Sequence, residues 1–193
     1  PWSNDGAICV GTNSSGTVTW NTCTNVGSTQ YNGNIIYDPN ANKFLILYAD
    51  SGTSHGGLNY YRTTKVITVS GTSVSAGSAS IHGGALGRHS GGDNQAMTFD
   101  PISNKIIFFF FTEVNYDLKF TSGLISGTSI TVASATNVET SGIWRSSDYP
   151  GFNGAYTKKG QHVFVIRKSS DNDRVYLRNV RTATETTNAT ATN

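Results

Sequence analysis

Apolar positions along this chain come in short runs and alternations, never at helical spacing. Phe44–Asp50 and Ile106–Glu113 are near-continuous apolar runs of strand length, and each predicts a strand buried on both faces. Between such runs lie alternating β-branched residues around a small turn. It occurs as Val69-Ser70-Gly71-Thr72-Ser73-Val74 and as Ile125-Ser126-Gly127-Thr128-Ser129-Ile130, with a third copy in Ser14-Ser15-Gly16-Thr17-Val18-Thr19. Glycine at the tip and alternation on both sides predict a hairpin. Ser15, Ser70 and Ser126 are 55 and 56 residues apart, a near-constant period that marks a repeat architecture.

A second turn precedes each apolar run. Tyr37-Asp38-Pro39-Asn40-Ala41-Asn42-Lys43 matches Phe99-Asp100-Pro101-Ile102-Ser103-Asn104-Lys105. Asp starts the turn, Pro presets φ, and Asn tolerates a left-handed backbone before the next strand. A degenerate copy is Tyr156-Thr157-Lys158-Lys159-Gly160-Gln161, followed by Val163–Arg167. Each unit therefore has four strands. The first ends at Tyr37, Phe99 or Tyr156, and the second is the apolar run. The third covers about Leu58–Val69, Leu118–Ile125 and Arg174–Val180; the fourth covers about Ser73–Ser80, Ser129–Thr136 and Thr184–Ala191. The N-terminus supplies only a third and a fourth strand, Ala7–Asn13 and Val18–Val26. The organisation expected is a half unit at 7–30 and units at 31–90, 91–147 and 148–193. The fold class expected is all-β: tandem four-stranded antiparallel units, β-propeller-like, with a β-sandwich as the alternative. Three and a half units do not close a ring, so the chain is expected either to be cut from a longer array or to pair with neighbouring copies through open edges.

Composition sharpens this picture. Charged residues make up only 13%, glycines number 21, and Ser, Thr and Asn fill the polar positions, as suits short strands and tight turns. The net charge of +2 is scattered, with no basic stripe for nucleic acid. No apolar run approaches the ~20 residues of a membrane-spanning helix. No cofactor motif is present, and no signal peptide is visible. The start at Pro1 reads as a processed product or a fragment. The two cysteines, Cys9 and Cys23, flank the first Ser-Gly-Thr turn. Taking Ser15-Gly16-Thr17 as a three-residue loop pairs Ser14 with Val18 and, stepping outward, Cys9 with Cys23. A disulfide is expected there, and with it an oxidising, extracellular setting.

In a meander, alternate turns share a rim. The repeated Asp-Pro and Ser-Gly-Thr turns form one rim and look structural. The opposite rim carries loops that differ between units, which is where binding residues tend to sit. Its ligand-binding candidates are His55, Arg88, Tyr116, Trp144, Arg145, Asp148 and Tyr149. Aromatic rings beside Asp, Asn and Arg suit sugars, since rings stack on the apolar sugar face while polar groups take the hydroxyls. Ordinary solvated loops are the competing explanation. Histidines at His55-Gly56-Gly57, His82-Gly83-Gly84 and His89 match no zinc spacing, and no metal site is expected. Neither a Gly-x-Ser-x-Gly elbow nor His-Glu-x-x-His occurs, so the chain is not read as an enzyme. Asn13-Ser14-Ser15 and Asn188-Ala189-Thr190 are glycosylation sequons.

The Tyr-Asp-Pro turn, the apolar strand Phe44-Leu45-Ile46-Leu47-Tyr48 and the Val-Ser-Gly-Thr-Ser-Val turn together resemble tandem repeats of tail-fibre and other surface proteins of phages from aquatic bacteria. The resemblance covers about Asn32 to Thr136 well. It implies the repeat fold and an extracellular adhesive context, not a site. The cysteine pair departs from the phage pattern and points to a secreted cellular protein. The function expected is an extracellular adhesion module recognising surface glycans or a cell-surface receptor. The alternative is a structural subunit that meets its homo-oligomer or filament neighbours by strand pairing; a propeller glycosidase ranks last.

Overall fold

The computed structural model describes residues 5–28, 31–50, 60–82, 88–89, 95–111, 117–139, 153–157, 161–168 and 174–181. Among these the chain is all strand and turn, with no helix, as its alternating pattern requires.

The N-terminal segment forms two short hairpin ladders. β1 (Asp5–Ile8) pairs with β4 (Thr24–Ser28), and β2 (Gly11–Ser14) pairs with β3 (Thr17–Trp20). In the first full unit, β5 (Tyr31–Asp38), β6 (Lys43–Asp50) and β7 (Tyr60–Ser70) run antiparallel. The outer edge of β7 is taken in succession by β8 (Ser73–Ala76), β9 (Ser80–Ile81) and β10 (Arg88–His89). The second unit repeats this with β11 (Gln95–Asp100), β12 (Lys105–Phe111) and β13 (Leu118–Ser126), edged by β14 (Ser129–Val132) and β15 (Thr136–Glu139). The third contains β16 (Asn153–Thr157), β17 (Gln161–Lys168) and β18 (Arg174–Arg181). The fourth strand expected at Thr184–Ala191 lies outside the described residues.

The repeated turns do the local work foreseen for them. Asp38 Oδ1 accepts from the Asn40 and Ala41 N–H groups at 2.9 and 3.0 Å, and Asp100 Oδ1 accepts from Ile102 N–H at 3.0 Å. Asn42 and Asn104 hold φ of +51° and +56°, the left-handed backbone that asparagine tolerates better than most residues. The Ser-Gly-Thr turns are shorter than expected. Ser70 pairs with Ser73 and Ser126 with Ser129, so Gly71-Thr72 and Gly127-Thr128 are two-residue loops. Only the glycine has positive φ (+58° and +61°), the pattern of a type II′ turn.

The first copy is not equivalent to the other two. Ser14 pairs with Thr17, and Ser15 and Gly16 both have positive φ (+50° and +85°), as in a type I′ turn. A three-residue loop is therefore ruled out here. Cys9 and Cys23 still meet, with Cα atoms 4.2 Å apart in a disulfide. The reason is an irregular step. Between the Gly11–Trp20 and Ile8–Thr24 pairs, one strand spends two residues and the other three. That extra residue compensates the shorter turn.

Alternation then decides the packing. Leu45 and Leu47 of β6, with Val66 of β7, face Ile106, Phe108 and Phe110 of β12 and Ile125 and Ile130 of the next hairpin. The intervening Ile46 and Tyr48, with Ile67, face the other way, against Val26 of β4 and Ile8 of β1. Sheets therefore stack face to face along the chain order. Burying each such Leu, Ile or Phe contributes roughly 1.5–3 kcal/mol, so β6 and β12 carry much of the stability. The first strands of the units lie together: β11 runs beside both β5 and β16. The turns also line up. Asn40 Nδ2 donates to Asn104 Oδ1 across the first two units. The fourth strands, expected to be continuous, break at Gly77–Ala79 and Ala133–Ala135. Gly77 N–H and Ala133 N–H return to the Val66 and Ser122 carbonyls at 2.8 and 2.9 Å, so these are equivalent positions.

At Gly77 two units approach closely. A Cβ there would lie 2.3 Å from the carbonyl oxygen of Thr128, at the tip of the next unit's hairpin. Gly77→Ala should cost about 2 kcal/mol by overpacking this junction. Urea unfolding checks it. A midpoint identical to that of the parent chain would mean that the two units do not touch there.

Candidate functional site

Of the rim residues singled out by sequence, His55, Tyr116, Trp144, Arg145, Asp148 and Tyr149 lie outside the described residues, as does the sequon at Asn188. Arg88 is placed by its backbone, which pairs with Tyr61 at the outer edge of β7. Asn13 is exposed on β2, and its Oδ1 accepts the Gly16 N–H at 3.1 Å across the turn. His82 is held by Thr64 Oγ1 at 2.7 Å from its Nε2, and burial lowers its pKa. That bond gives His82 a structural role in the first unit. Among the described residues no group of three or more His, Cys, Asp or Glu gathers to hold a metal.

Two polar clusters that sequence reading missed are buried at the junctions between units. At the first junction, Arg62 of β7 is fully buried. Its Nε donates to Gln95 Oε1 at 3.1 Å, its Nη2 donates to the Phe111 carbonyl at 2.9 Å, and its guanidinium carbon lies 5.0 Å from the centre of the Phe110 ring. One side chain from the first sheet thus ties down two strands of the second. Nearby, Asn34 Nδ2 donates to the Gln95 carbonyl at 3.0 Å, linking β5 to β11. A buried guanidinium is tolerated only when its donors are met, and these contacts meet several of them.

At the second junction, His162 of β17 meets β11. Its Nδ1 lies 2.6 Å from Thr98 Oγ1, its Nε2 is 3.9 Å from Asp100 Oδ2, and the Tyr156 ring packs against it. Asp100 also accepts from Ser103 Oγ at 2.7 Å and so belongs to the turn. By strand register, His162 occupies the place of Ile106 in the preceding unit and Thr98 that of Ile36. An apolar contact at one junction is thus a hydrogen-bonded Thr–His contact at the next. Carboxylate, imidazole and hydroxyl in one cluster suggest catalytic chemistry. Exposures of 0% for His162 and Asp100 and 4% for Thr98 leave no room for a reactant, so the cluster serves packing. Burial drives the His162 pKa down to about 4, partly opposed by the Asp100 charge.

The most exposed large apolar side chain described is Trp20, at 69%. It stands on the β2–β3 hairpin, whose eight strand residues are all exposed. The signal was available in the sequence: the pairing that aligns the cysteines also sets Trp20 on the same small ladder.

No known protein family matches the chain, and neither a curated protein nor a solved structure matches it. The likeness to tail-fibre repeats therefore rests on the turn and strand motifs alone.

The His162 cluster has a pH signature. Its folded pKa of about 4 lies below the ordinary 6.5 of the unfolded chain, so its contribution is intact above pH 6.5 and is lost as pH falls toward 4. The loss is on the order of 3 kcal/mol, and burial of His82 adds in the same direction. Replacing the pair by apolar residues, Thr98→Val with His162→Ile, should flatten this acid limb in urea midpoints measured from pH 8 to pH 4. Parallel curves for parent and variant would count against a neutral, buried His162.

Proposed function

We propose that this protein is an extracellular binding module that attaches to surface glycans, with its stacked sheets forming an arc of propeller-like blades. The observation that carries this reading is the alignment of the repeated turns. Asn40 against Asn104, and Gly77 against the Thr128 turn, bring repeated turns of the first two units to one side. In an antiparallel meander the loops that differ between units are expected on the opposite rim, and the described strands would give them an apolar-packed frame. By sequence those loops hold Trp144, Tyr149, Tyr116 and His55, together with Arg145 and Asp148, whereas Arg88, expected in a loop, stands on β10 at the edge of β7. Several weak sites on one frame would add through multivalent contact. The Cys9–Cys23 disulfide fits an oxidising environment outside the cell. The likeness to tail-fibre and adhesin repeats points the same way.

A structural role in a filament is the second reading, and one observation favours it. β7 and β13, the third strands of their units, are each paired on both edges. β1 holds the matching place in the N-terminal half unit, and among the described residues it pairs only with β4. An open edge can accept a strand from a neighbouring molecule.

Two measurements separate the readings. Light scattering should find a compact particle of fixed mass over a wide concentration range; growth into long assemblies would favour the filament. Trp144→Ala and Tyr149→Ala should each weaken binding to a glycan-coated surface about tenfold. Unchanged binding would remove both rings from the contact.

A further inference from the structure

We propose that the disulfide-stapled hairpin β2–β3 is itself a saccharide-binding element, with the exposed face of Trp20 stacking on the ring of a neutral sugar. This rests on the glycan-binding reading above and moves one contact point away from the variable loops, onto the N-terminal hairpin.

The hairpin is built more firmly than its own contacts require. A two-stranded ribbon packed on neither face is marginal in water, and all residues from Gly11 to Trp20 are exposed. Three devices hold it. Cys9–Cys23 closes its base. The turn is fixed by positive φ at Ser15 and Gly16 and by the Asn13 side chain accepting the Gly16 N–H at 3.1 Å. Asn21 spans the base: its backbone N–H and its Nδ2 both donate to the Val10 carbonyl, at 2.9 and 3.2 Å. The hairpin thus presents an exposed surface on a preorganised support, which lowers the ordering cost of binding.

That surface has the make-up of a sugar platform. Gly11 and Asn13 on β2 face Trp20 and Val18 on β3, so these four residues share one side of the ladder. The indole lies over Gly11: a Cβ there would be 3.0 Å from both Trp20 Cζ3 and Val18 Cγ1. The ring therefore rests against Gly11, and at 69% exposure most of it is open to solvent. A pyranose presents a face of C–H bonds whose positive edges suit the negative π-face of an indole. On the Trp20 side of the ladder the amide of Asn13 is the polar group available to sugar hydroxyls, while Thr12, Ser14, Thr17 and Thr19 lie on the other side. The hairpin itself carries no charge. From Gly6 to Tyr37 the sequence holds no Asp, Glu, Lys, Arg or His. That stretch offers no charged partner to a phosphate, a sulfate or a charged peptide, which favours a neutral saccharide.

The simpler explanation is that Trp20 only shields the glycine opposite it and pins the register. Binding and stability tests distinguish the two. The full chain, Trp20→Ala and Trp20→Phe are applied to an array of neutral and anionic glycans at low and high salt. The expected result is retention on a neutral glycan, insensitive to salt, lost about tenfold in Trp20→Ala and largely kept in Trp20→Phe. In the unaltered chain, the Trp20 ring protons should receive magnetisation from the bound sugar in a saturation-transfer experiment. Retention that is equal in the parent and Trp20→Ala, or a sugar that leaves the Trp20 protons silent, overturns this proposal while the glycan-binding reading stands. Retention only on anionic glycans overturns the neutral class. An array with no binder overturns both.

Discussion

The structure depends on one constraint: β12 is apolar on every residue from Ile106 to Phe111, and all six are buried. A strand in a single sheet can hide only one face. Six such residues in succession require cover on both sides: Ile106, Phe108 and Phe110 take it from the first unit, and Phe109 stacks on Phe120 of its own sheet on the other side. β6 meets the same demand, with Leu45 and Leu47 turned to the second unit and Ile46 and Tyr48 to the N-terminal half unit. Stacking is therefore a consequence of where the apolar residues fall. Once the sheets stack in chain order, their equivalent turns fall side by side.

The two junctions solve the same packing problem differently. Between the first and second units the contact is largely apolar, with Arg62 as a buried clasp whose bonds reach Gln95 and the Phe111 carbonyl. Between the second and third, Thr98 and His162 take the positions held earlier by Ile36 and Ile106. An imidazole kept neutral in that place makes the second junction sensitive to acid in a way the first is not. Buried polar clusters of this kind add directional bonds to an otherwise non-directional apolar interface.

Much of the fold was legible because strand periodicity and turn chemistry are local. Asp38 and Asp100 bond the turn amides that follow them, and Asn42 and Asn104 adopt the left-handed backbone that their position implied. The exact turn length was not legible. Ser-Gly-Thr is compatible with a loop of two residues or three, and the glycine takes the first central position in two copies but the second in the copy at Ser15. The cysteine pairing survived that difference because the strand near Asn21 carries an extra residue. Arg62, Gln95 and His162 were not legible as a group, since their meeting depends on which faces of distant sheets stack. Trp20 was not legible as a surface residue because strand alternation implies one buried face, whereas both faces of its ladder are open. The candidates His55, Tyr116, Trp144, Arg145, Asp148 and Tyr149 lie outside the described residues, so their part in a site rests on sequence.

The central claim is that the stacked sheets form one cooperative frame from which the N-terminal hairpin projects. Native-state hydrogen exchange tests it most directly. The account predicts that amides of β6 and β12 exchange with a common, highest free energy that falls together as denaturant is added, while amides of β2 and β3 exchange through a smaller, local opening. Separate free energies for β6 and β12, each with its own denaturant dependence, would contradict it.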